Sequence, residues 1–217
     1  MKRWKKKIVA AMGLWTSFLL WTAAVCRLDV QAIGPRGSEV GLATLNRWFH
    51  RVTGVHFGLY NMTDWLGLVP VGMCMGFGIL GLAQWIGRRS IRKVDFSILT
   101  LGGFYLVVMA AYLIFEGVAV NFRPVLIGGY LEASYPSSTT LLVLCIMPTA
   151  ILQLKARIKN RILRRLVLWG ITVFTVFMVV GRLISGVHWL TDIIGGILLS
   201  AGLVMSYAAV CEAKKVD

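Results

Sequence analysis

Six long apolar stretches, separated by short polar ones, organise the chain. The first, residues 8–25, runs for 18 residues after a basic start. It exceeds the roughly 7–15 residues of a signal-peptide core and suits a membrane-spanning helix of about 20. The pattern therefore predicts a retained first span. Hydropathy predicts five more, near 65–86, 96–120, 139–154, 166–184 and 189–210. The fourth is short unless it begins near Pro136. Each must be helical, because lipid offers a backbone N–H or C=O no partner. The expected fold is all-α: a polytopic membrane protein with six transmembrane helices in one bundle. With no internal repeat or low-complexity linker, 1–217 reads as a single membrane domain.

Between the first two spans, residues 41–54 place Leu42, Leu45, Trp48, Phe49 and Val52 at helical spacing, with Arg47, His50 and Arg51 among them. That predicts an amphipathic helix at the membrane interface. His50 and His56 have no carboxylate or thiol at ligand spacing, so interfacial histidines are expected there. The four cysteines stand alone and predict neither disulfides nor a metal site. No cofactor or metal is expected.

Composition agrees with a membrane protein: 58% of the 217 residues are hydrophobic, against about 45–50% in soluble domains. A formal charge of +14 would ordinarily raise nucleic acid as a partner. The distribution argues otherwise. If the N-terminus is cytoplasmic, 17 of the 23 basic residues fall in the N-terminal segment, the 88–93 and 155–165 loops and the C-terminal tail. The positive-inside rule accounts for that bias. Both termini are expected in the cytoplasm and nucleic acid is excluded as the reason for the charge.

This orientation leaves Arg123 and Arg182 at outer span ends, where ionisable residues mark function. In GRLISGVHWLTD, His188 and Asp192 are four apart and share a face on a helix opening the sixth span. The carboxylate can fix the imidazole tautomer and leave the other nitrogen free as nucleophile or base. Arg182, across a Ser-Gly turn, can fold back to hold an oxyanion beside the ring. In SYPSSTT, Pro136 suits the first turn of the fourth span. Ser137, Ser138 and Thr139 then offer hydroxyls and free N–H groups at a helix N-terminus, an anion site.

At these residues the chain resembles the type-2 phosphatidate phosphatase superfamily, which also includes bacterial acid phosphatases and vanadium haloperoxidases. The family's first motif, Lys, six residues, Arg-Pro, is matched by EGVAVNFRP at Arg123 and Pro124, with Glu116 in place of the lysine. Its second, Pro-Ser-Gly-His, is matched by PSST at Pro136 and Ser137, with Ser138 for the glycine and Thr139 for the histidine. The third, Ser-Arg, five residues, His, three residues, Asp, is matched at Arg182, His188 and Asp192, with Gly181 for the serine. The motif region spans 116–192.

The resemblance implies a metal-free mechanism in which His188 attacks phosphorus, forming a phosphohistidine that water hydrolyses. Asp192 would orient that ring. Arg123 and Arg182, with the second-motif segment of Ser137, Ser138 and Thr139, would hold phosphate oxygens. The family's general acid is the second-motif histidine, absent here. Glu116 is a possible alternative acid: it points away, is protonated, or acts as that acid. Glu132 is a second candidate. A carboxylate about 4 Å from a phosphate charge would repel it by roughly 4 kcal/mol at an effective dielectric near 20.

Loss of the histidine weighs on monoesters, which expel an alkoxide, more than on diphosphates, which expel a weaker base. A lipid phosphatase or diphosphatase acting at the outer face is therefore expected, undecaprenyl diphosphate being one substrate. The expected partners are that lipid substrate and membrane lipids. The rival from another class is a catalytically degenerate member that binds anionic lipid or a protein partner; a small transporter or channel subunit is a third reading. The orientation has a direct check. In a Cys26→Ser background, a cysteine replacing Gly128 should react with a membrane-impermeant thiol reagent added outside intact cells. Protection there, with reaction only from the cytoplasmic side, overturns the orientation.

Overall fold

The computed structural model describes residues 2–214, and all of its long elements are α-helices. Helix α1 spans Arg3–Arg27, α2 Ala43–Thr53, α3 Phe57–Leu66, α4 Leu68–Arg88, α5 Phe96–Gly117, α6 Ser138–Arg157, α7 Arg161–Ile184 and α8 Leu190–Ala213. Six units are long and apolar enough to cross a membrane: α1, α3 and α4 together, α5, α6, α7 and α8. The six expected spans are all present. Helix α6 starts at Ser138 and reaches 20 residues, which removes the doubt about its length.

One element was not expected. Residues 57–64, which the hydropathy left outside the second span, form α3, and Gly67 joins it to α4. The segment was hard to read because Tyr60, Asn61, Thr63 and Asp64 interrupt its apolar run. The amphipathic helix expected at 41–54 forms as α2, but it does not merely lie on a surface. Its Asn46 is completely buried and packs against the start of α8.

Helices α6 and α8 form the centre: half of each one's apolar window is buried, against 17–22% in the other spans. The apolar residues left exposed on α1, α4, α5 and α7 make the face suited to lipid. Helix α1 runs along α8, joined by Trp21 Nε1 donating to the Thr191 carbonyl at 3.2 Å and Trp15 Nε1 to Ser206 Oγ at 3.3 Å. Close approach between α8 and the segment before α6 depends on a glycine. A Cβ on Gly195 would fall 2.6 Å from the Tyr135 ring. That ring is buried and its hydroxyl lies 2.7 Å from Thr22 Oγ1 on α1.

The basic loops gather at one end of the bundle. There Asp95 pairs with Arg88 at 3.0 Å and with Arg157 at 3.3 Å, and Gln84 donates to it at 2.9 Å. These bonds tie α4, α5 and α6, and hydrogen bonds from Gln84 and Arg88 hold the Asp95 carboxyl below its ordinary value. Lys7 and Glu212 pair α1 with α8 at the same end. The opposite end carries the connections 28–42, 54–56, 118–137 and 185–189, and with them the candidate site.

Gly195→Val drives two methyl groups into Tyr135. Overpacking of this kind typically costs about 1–3 kcal/mol. The variant should unfold several degrees below the wild type in a detergent thermal scan, and Tyr135→Ala in the same chain should recover part of the loss. No change in midpoint would show that α8 and Tyr135 are not in close contact.

Candidate active site

The site is built around the first turn of α8. Asp192 is completely buried at the third position of the helix, where its carboxylate accepts from the Trp189 N–H at 2.9 Å and from Asn121 Nδ2 at 3.2 Å. A negative charge at a helix N-terminus is favoured by the orphan N–H groups and the helix dipole. Four further bonds lock this turn in place. Asn46 on α2 donates to Thr191 Oγ1 at 2.9 Å and accepts from the Thr191 N–H at 3.2 Å. Trp189 Nε1 donates to the Phe122 carbonyl at 2.8 Å. The Ser137 N–H, at the start of α6, donates to the Asp192 carbonyl at 3.1 Å.

His188 lies in the short connection before α8 and not on the helix, so the expected shared helical face is replaced by a loop-to-helix pairing. Its Nδ1 stands 3.7 Å from Asp192 Oδ2, beyond hydrogen-bond length, while Nε2 lies 3.3 Å from Arg123 Nη1. Two residues earlier, Gly186 has a φ of +69°, and a Cβ there would fall 1.9 Å from the Gly54 carbonyl oxygen. Only glycine fits a left-handed residue so close to a neighbouring backbone. This turn, with His50 Nε2 3.1 Å from the Gly186 carbonyl, aims the His188 ring inward.

Burial pushes the His188 ring well below the usual 6.5, and Arg123 and then Arg182 push it the same way, against the Ser134 carbonyl, which as an acceptor favours the protonated ring. The ring is therefore neutral near pH 7, which keeps a lone pair on one nitrogen. The folded chain binds fewer protons here than the unfolded one. This contribution to stability is present above about 6.5 and fades as the pH falls below it.

The two arginines approach one another through a shared aromatic ring. The Arg182 guanidinium carbon lies 4.7 Å from the Tyr60 centroid and that of Arg123 lies 6.0 Å from it. Arg123 sits on a small hairpin, paired with Glu132: its backbone N–H donates to the Glu132 carbonyl at 3.0 Å, and its Nε lies 3.0 Å from the Glu132 carboxylate. Arg182 lies in the last turn of α7 with 1% of its surface exposed. It does not fold across the Ser-Gly turn. Its guanidinium points to α3, donating to the Tyr60 carbonyl at 3.3 Å, Thr63 Oγ1 at 3.2 Å and Asp64 at 3.2 Å.

The SYPSSTT segment enters α6 differently from expectation. Pro136 precedes the helix; Ser137 is the N-cap and helical residues begin at Ser138. The Ser137 N–H is already used by Asp192, and Ser137 Oγ accepts from Thr140 Oγ1 at 3.1 Å. No side chain caps the helix. Ser138 and Thr139, both part-exposed, instead line a groove of about 560 Å³ between α4, α5 and α6, with Asp64 on its wall and otherwise mostly apolar residues.

Glu116 lies at the end of α5 and is exposed. It lines a recess of about 10 Å³ with Ser134, Tyr135, Pro136 and Ser138, room for one water at most. Glu116 does not line the groove, but its recess shares Tyr112, Ser138 and Leu141 with the groove wall. Asp64, Tyr60, Asn121 and Asn46 escaped the sequence reading. An acid among apolar residues just before the second span was the available signal for Asp64. Among the described residues, no cluster of His, Cys, Asp and Glu is arranged to hold a metal ion.

A helical membrane bundle with two arginines and a His–Asp pair gathered at one end defines a class of protein. A family model described as the PAP2 superfamily matches residues 73–214. The chain belongs to that superfamily. It is also similar in fold to the crystal structure of the first transmembrane PAP2 type phosphatidylglycerolphosphate phosphatase from Bacillus subtilis. That similarity has a TM-score of 0.55 and 18% sequence identity, covering 95% of this chain and 97% of that one. No curated protein matches the sequence.

The chain has three histidines, so ring nitrogen NMR of ¹⁵N-histidine-labelled protein in micelles can follow each. With His188→Gln as the assignment control, the His188 signal should remain neutral through pH 6.5. A midpoint at or above 6.5 would contradict the buried, arginine-flanked ring.

Proposed function

We propose that the protein is a membrane-embedded lipid phosphatase or diphosphatase that hydrolyses a polyprenyl or phospholipid (di)phosphate through a phosphohistidine. The observation that carries this reading is the convergence of Arg123 and a neutral His188, at 3.3 Å, backed by the buried Asp192. Membership of the PAP2 superfamily and a six-span bundle support a lipid phosphate substrate. The structural neighbour's title names phosphatidylglycerolphosphate as what that protein acts on, which adds a phosphorylated glycerolipid to the candidates beside a polyprenyl diphosphate such as undecaprenyl diphosphate.

In this mechanism the His188 Nε2 lone pair attacks phosphorus, displacing the leaving oxygen, and the Nδ1 proton is shared with Asp192 as the ring gains charge. Closing the 3.7 Å gap to Asp192 would strengthen that bond only as the imidazolium forms, which favours the transition state over the ground state. Arg123 and Arg182 hold non-bridging oxygens, and the uncapped start of α6, with Ser138 and Thr139, presents N–H groups to the same anion. Water then cleaves the phosphohistidine. The chain acts as one membrane domain, with the site at the outer face and both termini cytoplasmic.

The alternative is a degenerate member that binds anionic lipid without turnover. It is favoured by one specific observation: Glu116 and Thr139 stand where the superfamily motifs carry lysine and histidine.

Purified protein in detergent should release inorganic phosphate from at least one of a panel of lipid diphosphates and monophosphates. His188→Ala should lower that rate to background, and acid quenching of the wild type should trap a phosphoprotein that is acid-labile and base-stable. No release from any substrate favours the binder. Release that survives His188→Ala removes the nucleophile assignment.

A further inference from the structure

Two observations, taken together, locate the leaving side of the reaction. The groove between α4, α5 and α6 is lined chiefly by residues such as Val71, Leu106, Met109 and Leu142, and its polar residues include Ser138, Thr139 and Asp64. A lipid ester carries its chain on the leaving oxygen. Arg182 contacts Asp64 at 3.2 Å, so a chain in this groove and a phosphate against that arginine would bring the leaving oxygen beside the Asp64 carboxyl. Neither serine nor threonine can supply a proton to an alkoxide near neutral pH. Asp64 can.

Resting on the phosphatase reading above, we propose that Asp64 is the general acid of this protein, a carboxyl that replaces the motif histidine absent at position 139. Asp64 and Thr139 lie on the wall of one groove. The Asp64 side chain is 57% exposed, so it is accessible to substrate, yet it is fixed by Arg182 at 3.2 Å. Arg182 thereby joins the phosphate site to the acid. The other two acidic candidates lie elsewhere: Glu132 pairs with Arg123 on the hairpin, and Glu116 borders a small recess on the other side of Tyr112, Ser138 and Leu141, which both spaces share. Neither lines the groove.

The step balances without a further reactant. The His188 Nε2–P bond forms, the P–O bond to the alcohol breaks, and the leaving oxygen keeps the bonding electrons and takes the Asp64 proton. The resulting carboxylate then accepts a proton from the water whose oxygen attacks the phosphohistidine, which returns both residues to their starting states.

The test compares two substrates with the same chain, dodecyl diphosphate, which expels phosphate, and dodecyl monophosphate, which expels an alkoxide. Asp64→Asn retains a side-chain oxygen for Arg182 and removes the competing carboxylate charge, so inorganic phosphate should inhibit at least as strongly as in the wild type. The variant should lose about 10²–10⁴ in kcat on the monophosphate, the usual worth of a general acid, and keep most of its rate on the diphosphate. Adding Thr139→His to Asp64→Asn should restore monophosphate turnover, which a merely structural role for Asp64 does not predict. Glu116→Gln should preserve the ratio of the two rates. Equal losses on both substrates, or no rescue by Thr139→His, overturn the acid assignment while leaving the phosphatase reading intact. An inactive wild type overturns both.

Discussion

Everything at the site end of this protein hangs on one buried carboxylate. Asp192 has no exposed surface, and a charge so placed is tolerable only if hydrogen bonds replace its water. The first turn of α8, the Asn121 amide and the Trp189 N–H supply them. Once that turn is fixed, the rest follows from what attaches to it. Asn46 brings α2, Phe122 and Asn121 bring the hairpin that carries Arg123, and Ser137 brings the start of α6. The candidate site and the packing at this end are therefore held by the same set of bonds.

Electrostatic division runs along the bundle. At the basic end, single acids such as Asp95 serve several cations, which brings helices together without demanding precision. At the site end each buried arginine contacts a carboxylate, Arg123 with Glu132 and Arg182 with Asp64. Paired in this way, neither guanidinium is an uncompensated charge before a ligand arrives. A phosphate bound at these arginines would have to compete with those carboxylates or share the arginines with them. That arrangement favours ligands carrying more than one negative charge.

Much of this was legible in the sequence because the constraints behind it are one-dimensional. Spans must be long and apolar, loop charges must sort by side, and a His-Asp pair needs a fixed spacing. The missing parts depend on three-dimensional partnership. Arg182 read as folding toward His188 because they are near in sequence, whereas its bonds go to α3, which lies more than a hundred residues away. His188 and Asp192 were placed on one helix because four is a helical interval, but Trp189 caps α8 after His188 has left it. Asn46 looked like an ordinary polar residue on an amphipathic helix; only its burial against Thr191 reveals its use.

The near-continuous unit from α3 through α4 has a consequence for depth. It is 32 residues long, about 48 Å at 1.5 Å per residue, while a bilayer's hydrocarbon core is about 30 Å thick. If α4 fills that core, α3 stands in the headgroup layer, with Tyr60, Thr63 and Asp64 at the level where lipid phosphates already reside. The protein then has no need to lift its substrate out of the membrane or draw the headgroup into oil. Diffusion in the plane of the leaflet becomes the route of supply.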